Sequence, residues 1–231
     1  MFKRENSRWS MRWITVLLGL LLVACGGGGD GGPMGVDDNG NSSFDSTQLA
    51  SALATLPLES LNADERASLP FMREEEKLAH DVYAVLNSAY AASTRTFGNI
   101  ANSEATHTQA VRQLLLRYSQ TDPAADLAAG VFLNPDLQTL YTQIVAEGQV
   151  NLTAALNVGV RIEELDIRDI QAALTGIDNQ DIRLVYDNLM KGSRNHMRSF
   201  YKVLLQQGGS YTPQYISQAE FDAIVNSAIE R

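Results

Sequence analysis

Six side chains in this sequence have the types and spacing that metal ligation needs: Glu76, Glu104, His107, Glu163, Asp166 and His196. Carboxylate oxygens and imidazole nitrogens bind divalent transition metals. Glu104-Ala105-Thr106-His107 places one of each a single helical turn apart on one face, and Glu163 and Asp166 stand in the same relation. Neighbours compete for two of these roles, since Glu75 adjoins Glu76 and Glu164 adjoins Glu163. His80, four residues past Glu76, is expected at the surface.

All six lie near the middle of stretches whose apolar residues recur at helical spacing. The first long helix is predicted over 63–90, with Asn62 as N-cap and Glu65 three residues on, and its inward face is Met72, Glu76, Ala79, Tyr83 and Leu86. A second, over 98–119, presents Ile100, Glu104, His107, Val111, Leu114 and Tyr118. The third, over 151–174, presents Leu152, Leu156, Gly159, Glu163, Asp166 and Ile170. A fourth, over 179–207, presents Ile182, Val185, Leu189, Gly192, His196 and Val203. Each face is apolar at its ends and polar at its centre. Unpaired burial would cost several kcal/mol for each carboxylate, so something must neutralise them, and a divalent cation does so directly.

No segment sustains a period of two, so the domain over 48–231 is expected to be all-α. Short connections make antiparallel hairpins of the first two and the last two long helices. The connection between these hairpins, about thirty residues with Pro123, Pro135 and a short helix near 136–147, can carry the chain back along its length. A four-helix bundle with one long crossover is the ferritin-like topology, and a short C-terminal helix near 217–229 is expected on its outside. In di-iron carboxylate bundles two helices each supply a Glu and two each supply Glu-x-x-His. The fourth helix departs from that pattern, because Ser193-Arg194-Asn195-His196 has Ser where the Glu would stand.

Met72-Arg73-Glu74-Glu75-Glu76-Lys77-Leu78-Ala79-His80-Asp81-Val82-Tyr83, Ser103-Glu104-Ala105-Thr106-His107, Ile162-Glu163-Glu164-Leu165-Asp166-Ile167 and Gly192-Ser193-Arg194-Asn195-His196 together resemble an uncharacterised ferritin-like family. That family is a domain of unknown function in bacteria and archaea, distantly related to rubrerythrin, and Glu76-x-x-Ala79-x-x-x-Tyr83 is also similar to the first helix of rubrerythrin. The resemblance spans about 60–207 and implies a bundle with a di-metal site, but no reaction. A rubredoxin-type cysteine module is absent from the chain.

The N-terminus carries a different message. Lys3, Arg4, Arg8 and Arg12 precede the apolar run Ile14–Val23, the layout of a signal sequence over 1–24 and about half the ~20 residues a bilayer span needs. Leu22-Val23-Ala24-Cys25 resembles the lipobox of bacterial lipoproteins, which implies a lipidated Cys25 and attachment to the membrane through its acyl chains. Gly26 after it resembles the pattern of lipoproteins sent on to an outer membrane. Cys25 is the only cysteine, so no intramolecular disulfide can form. Residues 25–47, rich in Gly, Asp, Asn and Ser, are expected to be a flexible tether, and the Asp37–Asn41 run lacks the Glu that would close a calcium loop.

Without residues 1–24 the formal charge falls from −9 to −12, because four basic groups and one acidic group leave with them. So acidic a chain has no footprint for nucleic acid. The functional expectation is a lipid-anchored domain of the cell envelope that binds one or two Fe or Mn ions, with Zn also suited to the ligand set, and that reacts with a small oxidant, oxygen or peroxide. The alternatives are metal storage or sensing, and a non-catalytic interaction module whose polar layer is a hydrogen-bonded network. A homodimer is left open.

Overall fold

The computed structural model describes residues 32–231. The expected signal sequence, Cys25 and the first part of the expected tether lie outside the described residues. Two short strands, β1 (Met34–Val36) and β2 (Ser42–Phe44), come first. The helices follow as α1 (Ser46–Ala54), α2 (Ala63–Tyr90), α3 (Thr96–Arg117), α4 (Pro135–Gly148), α5 (Leu152–Leu174), α6 (Gln180–Gln206) and α7 (Gln218–Val225). The fold is mostly helical, as expected, and among the described residues no helix is long and apolar enough to cross a membrane.

The long helices start where side chains meet their free backbone donors. Asn62 accepts from Glu65 N–H while Glu65 accepts from Asn62 N–H, a capping box that opens α2. The same Glu65 also takes the N–H groups of Asp178 (3.1 Å) and Asn179 (2.8 Å), so the start of α2 is fastened to the α5–α6 turn. Asn151 caps α5 through Ala154 N–H. Helices α2 and α3 pack along each other, as do α5 and α6, and the two pairs join through α2 on α5 and α3 on α6. Helix α4, in the crossover, lies against α2 and α5, and α7 lies against α6. The predicted stripes are buried along their length, with Leu152, Tyr118 and Val203 half-buried at their ends. Above the polar centre the apolar layer is aromatic: Tyr83 packs on Phe200 at 4.9 Å between ring centroids and Phe200 on Phe97 at 5.4 Å.

The expected tether is corrected over its second half. Residues 34–44 form an antiparallel hairpin with Met34 opposite Phe44 and Val36 opposite Ser42. Its turn is held by Asp37, whose carboxylate accepts from the N–H groups of Asn39 (2.8 Å) and Asn41 (2.9 Å), and by Gly40 at φ +83°, a conformation that glycine adopts freely. The segment has too few apolar residues for a core of its own. It is ordered because Met34, Ser42 and Phe44 bury against the helices and because Phe44 N–H donates to Thr106 Oγ1 (3.0 Å) on α3.

Candidate metal centre

Glu76 on α2, Glu104 and His107 on α3, Glu163 on α5 and His196 on α6 meet in the middle of the four long helices, all essentially inaccessible to solvent. Glu104 stands at the centre. Its Oε2 lies 2.8 Å from His107 Nδ1 and its Oε1 lies 2.8 Å from His196 Nδ1. Glu76 Oε2 approaches His107 Nδ1 at 3.4 Å, and Glu163 Oε2 approaches His196 Nδ1 at 3.5 Å. The arrangement is nearly symmetric, with one imidazole and one flanking carboxylate on either side of a shared carboxylate. Glu104, His107 and His196 each offer a ligand atom within 4.8 Å of the others, a group that could hold a metal ion.

The fit of these residues to a cation rests on what they leave unbonded. Both oxygens of Glu76, Glu104 Oε1, Glu163 Oε2 and His196 Nδ1 are buried with no aligned hydrogen-bond partner. The close approach of Glu104 Oε1 to His196 Nδ1 is therefore a contact rather than a well-directed hydrogen bond. Buried polar atoms are almost always partnered, and orphans concentrated at one point mark a place built for something else. Carboxylate and imidazole donors suit Mn, Fe or Zn.

Electrostatics describe the same centre without a cation. Burial opposes the charge on Glu104, but the charges of His107 and His196 outweigh it and hold that carboxyl well below the ordinary carboxylate range. Against the same burial, Glu104 raises His107 to about 10 and His196 to about 9. Glu76 is pushed up to about 7 by burial, and Glu163 is raised for the same reason. Asp166 is buried as well, and desolvation followed by the charges of Glu75 and Glu163 raises it well above its usual value. A cation entering here would displace protons.

The rival residues are separated by their partners. Glu164 is also buried, but its Oε1 accepts from the N–H groups of Gln214 (2.7 Å), Tyr215 (2.6 Å) and Ile216 (2.9 Å), while Tyr211 OH donates to its Oε2. It secures the chain leading into α7. Glu75 interacts with Asp169, its Oε2 has no partner, and the carboxylates within 4 Å of the imidazoles of His107 and His196 are Glu76, Glu104 and Glu163. His80 sits at the surface beside Asp81, with Nδ1 2.9 Å from its carboxylate, and takes no part in the cluster. Ser193, where the fourth helix lacks its Glu, returns its hydroxyl to Leu189 O at 3.1 Å within the same helix.

Two residues at the centre escape the sequence reading as site residues. Tyr83, read there as part of the stripe and of the rubrerythrin-like pattern but given no role, donates its hydroxyl to Glu163 Oε1 at 2.6 Å. Ser42, on the hairpin, places Oγ 2.9 Å from His107 Nε2 and 3.1 Å from His196 Nε2. The one local cue for the hairpin is the turn dipeptide Asn39-Gly40, and its three-residue strands add no readable alternation.

The chain is similar to uncharacterized protein MJ0754 of Methanocaldococcus jannaschii, with 46% identity over 179 residues that cover 78% of this chain and 96% of the relative. The crystal structure of the hypothetical protein MJ0754 matches with a TM-score of 0.73 over 76% of this chain and 99% of that chain. Residues 65–228, which hold every helical member of the cluster, match the model of an uncharacterized protein domain, DUF2202, and the chain belongs to that family.

Proposed function

We propose that this protein is a ferritin-like four-helix bundle whose core binds Fe or Mn in one or two positions, presented at the cell envelope by lipidation of Cys25. The observation that carries the metal reading is Glu104: a single buried carboxylate with each oxygen 2.8 Å from a different imidazole Nδ1, surrounded by orphaned carboxylate oxygens. One position would be held by Glu76, His107 and Glu104, the other by Glu104, Glu163 and His196. Two divalent cations carry four charges and these carboxylates supply three, so Asp166, one turn from Glu163, is the proposed fourth. A metal of this kind would supply redox chemistry toward oxygen or peroxide. The residues themselves would orient it, exclude water and hold the displaced protons until the cation binds.

The N-terminal motif Leu22-Val23-Ala24-Cys25 supports the anchor, and Cys25→Ala is expected to release the protein from membranes. Metal analysis of protein purified without added metal, followed by peroxide consumption, tests the core. Bound metal with turnover supports an oxidoreductase, and bound metal without turnover supports storage or sensing. Asp166→Asn should lower the second occupancy while the first stays filled, and Ser193→Glu should raise it. A second reading, a metal-free polar network serving an interaction module, draws on the pairing of Glu104 with two charged imidazoles. Absence of metal after purification and after reconstitution would favour it.

A further inference from the structure

We propose that Ser42 is a positioning residue of the metal centre, so that the hairpin β1–β2 is a working part of the site and not only a covering. This rests on the reading of Glu104, His107 and His196 as ligands.

Ser42 is fully buried on the inward side of β2, and its Oγ lies within hydrogen-bond distance of the outer nitrogens of both imidazoles. The two rings are stacked, with centroids 5.4 Å apart and planes inclined by 16°, so one atom between them reaches both. A hydroxyl oxygen can accept two hydrogen bonds. When both Nε2–H groups donate to it, each ring keeps its other nitrogen, Nδ1, free to offer a lone pair on the side of Glu104, 2.8 Å from a carboxylate oxygen. The bond made by one nitrogen of a ligating histidine sets the role of the other. Here one hydroxyl sets both rings. Were Ser42 to donate to either Nε2 instead, that ring would carry its proton on Nδ1 and face the cation position with a hydrogen.

The surroundings are arranged around this contact. A Cβ at position 192 would stand 2.6 Å from His107 Cε1 and 2.9 Å from Ser42 Oγ, so only glycine there leaves room for the serine and the ring together. Phe44 meets the His107 ring edge-on at 5.8 Å and 80°, and its N–H is fixed to Thr106 on the helix that carries His107. Ser42 is thus registered against α3 two residues from its own contact.

The test compares the full chain, stripped of metal, with Ser42→Ala and with Ser43→Ala, whose side chain is exposed on the opposite side of the same strand. Co(II) is the probe, because its visible absorption reports ligand geometry. Ser42→Ala is expected to bind about 10- to 100-fold more weakly and with an altered Co(II) spectrum, while Ser43→Ala matches the wild type. Wild-type affinity and spectrum in Ser42→Ala would overturn the proposal. A wild-type chain that binds none of Co(II), Fe(II) or Mn(II) would instead overturn the metal reading on which it rests. If Ser42→Ala does not fold, the Zn(II)-loaded wild type decides through imidazole proton–nitrogen correlations. His107 and His196 are expected as Nε2–H tautomers, and an Nδ1–H on either refutes the assignment.

Discussion

Glu163 and Glu164 are consecutive on α5, both fully buried, and they do opposite things. Glu164 is saturated by three backbone N–H groups and a tyrosine hydroxyl from the segment before α7. Glu163 takes one hydroxyl, from Tyr83, and leaves its other oxygen open toward His196. The same contrast recurs on α2, where Glu74 accepts from Leu133 and Asn134 N–H in the crossover while neither oxygen of Glu76 has a partner. Burial of a carboxylate therefore says little about its work. Among these four, the pair whose lone pairs are used up fastens the chain, and the pair whose lone pairs stay open meets the imidazoles.

The sharpest way to break this contrast is to exchange the expected phenotypes. Glu104→Ala should weaken metal binding by more than about 100-fold, measured as metal per chain at equilibrium, because both halves of the centre share that carboxylate. Retention of wild-type stoichiometry would remove Glu104 from the centre. Glu164→Ala should do the reverse: a loss of about 2–4 kcal/mol in unfolding free energy by denaturant titration, with metal per folded chain unchanged. A Glu164 variant that kept its stability and lost its metal would invert the assignment.

Acidity separates the two regions further. The folded values of His107 and His196, about 10 and about 9, lie above that of an unfolded histidine near ~6.5. Their contribution to stability is therefore full below about 6.5 and is lost as pH rises through 9 and 10. Metal-free protein should lose thermal stability between pH 7 and 10, and metal-loaded protein should lose much less, since the cation has already taken the place of those protons. Parallel melting curves with and without metal would contradict this. Gly192→Ala changes no donor yet forces His107 or Ser42 to move, and about a tenfold loss of affinity is expected by Co(II) titration. Tyr83→Phe is the smallest change, expected to lower stability by about 1 kcal/mol and to leave stoichiometry intact.

The helical part of this molecule was legible because its signals are local. The stretch 63–90 is α2 as predicted, cap included, and the stripe assignments put Glu76, Glu104, His107, Glu163 and His196 at one level of the core. Spacing could not tell Glu163 from Glu164, because what distinguishes them is the arrival of residues 211–216 from far along the chain. The hairpin was illegible for a related reason. A three-residue strand is too short to show a period, and what orders it is a serine bonded to histidines 65 and 154 residues away. Helix α1 had a fair local signature in Asp45 as N-cap and Leu49 and Leu53 one turn apart, but its nine residues were too few to stand out.

The hairpin has one more consequence, a mechanical one. The chain enters through β1, and the end of β1 nearest that entry, Met34, lies opposite Phe44, beside the point where β2 runs on into α1. A pull on the N-terminal segment would therefore act at the open end of the hairpin and unzip β1 from β2 rung by rung, the weak direction of an antiparallel ladder, instead of shearing it. Strand β2 would stay behind, held by Phe44 N–H on Thr106 and by Ser42 on the imidazoles. The first strand would thus behave as a fuse, absorbing tension on the N-terminal segment before any of it reached the histidines.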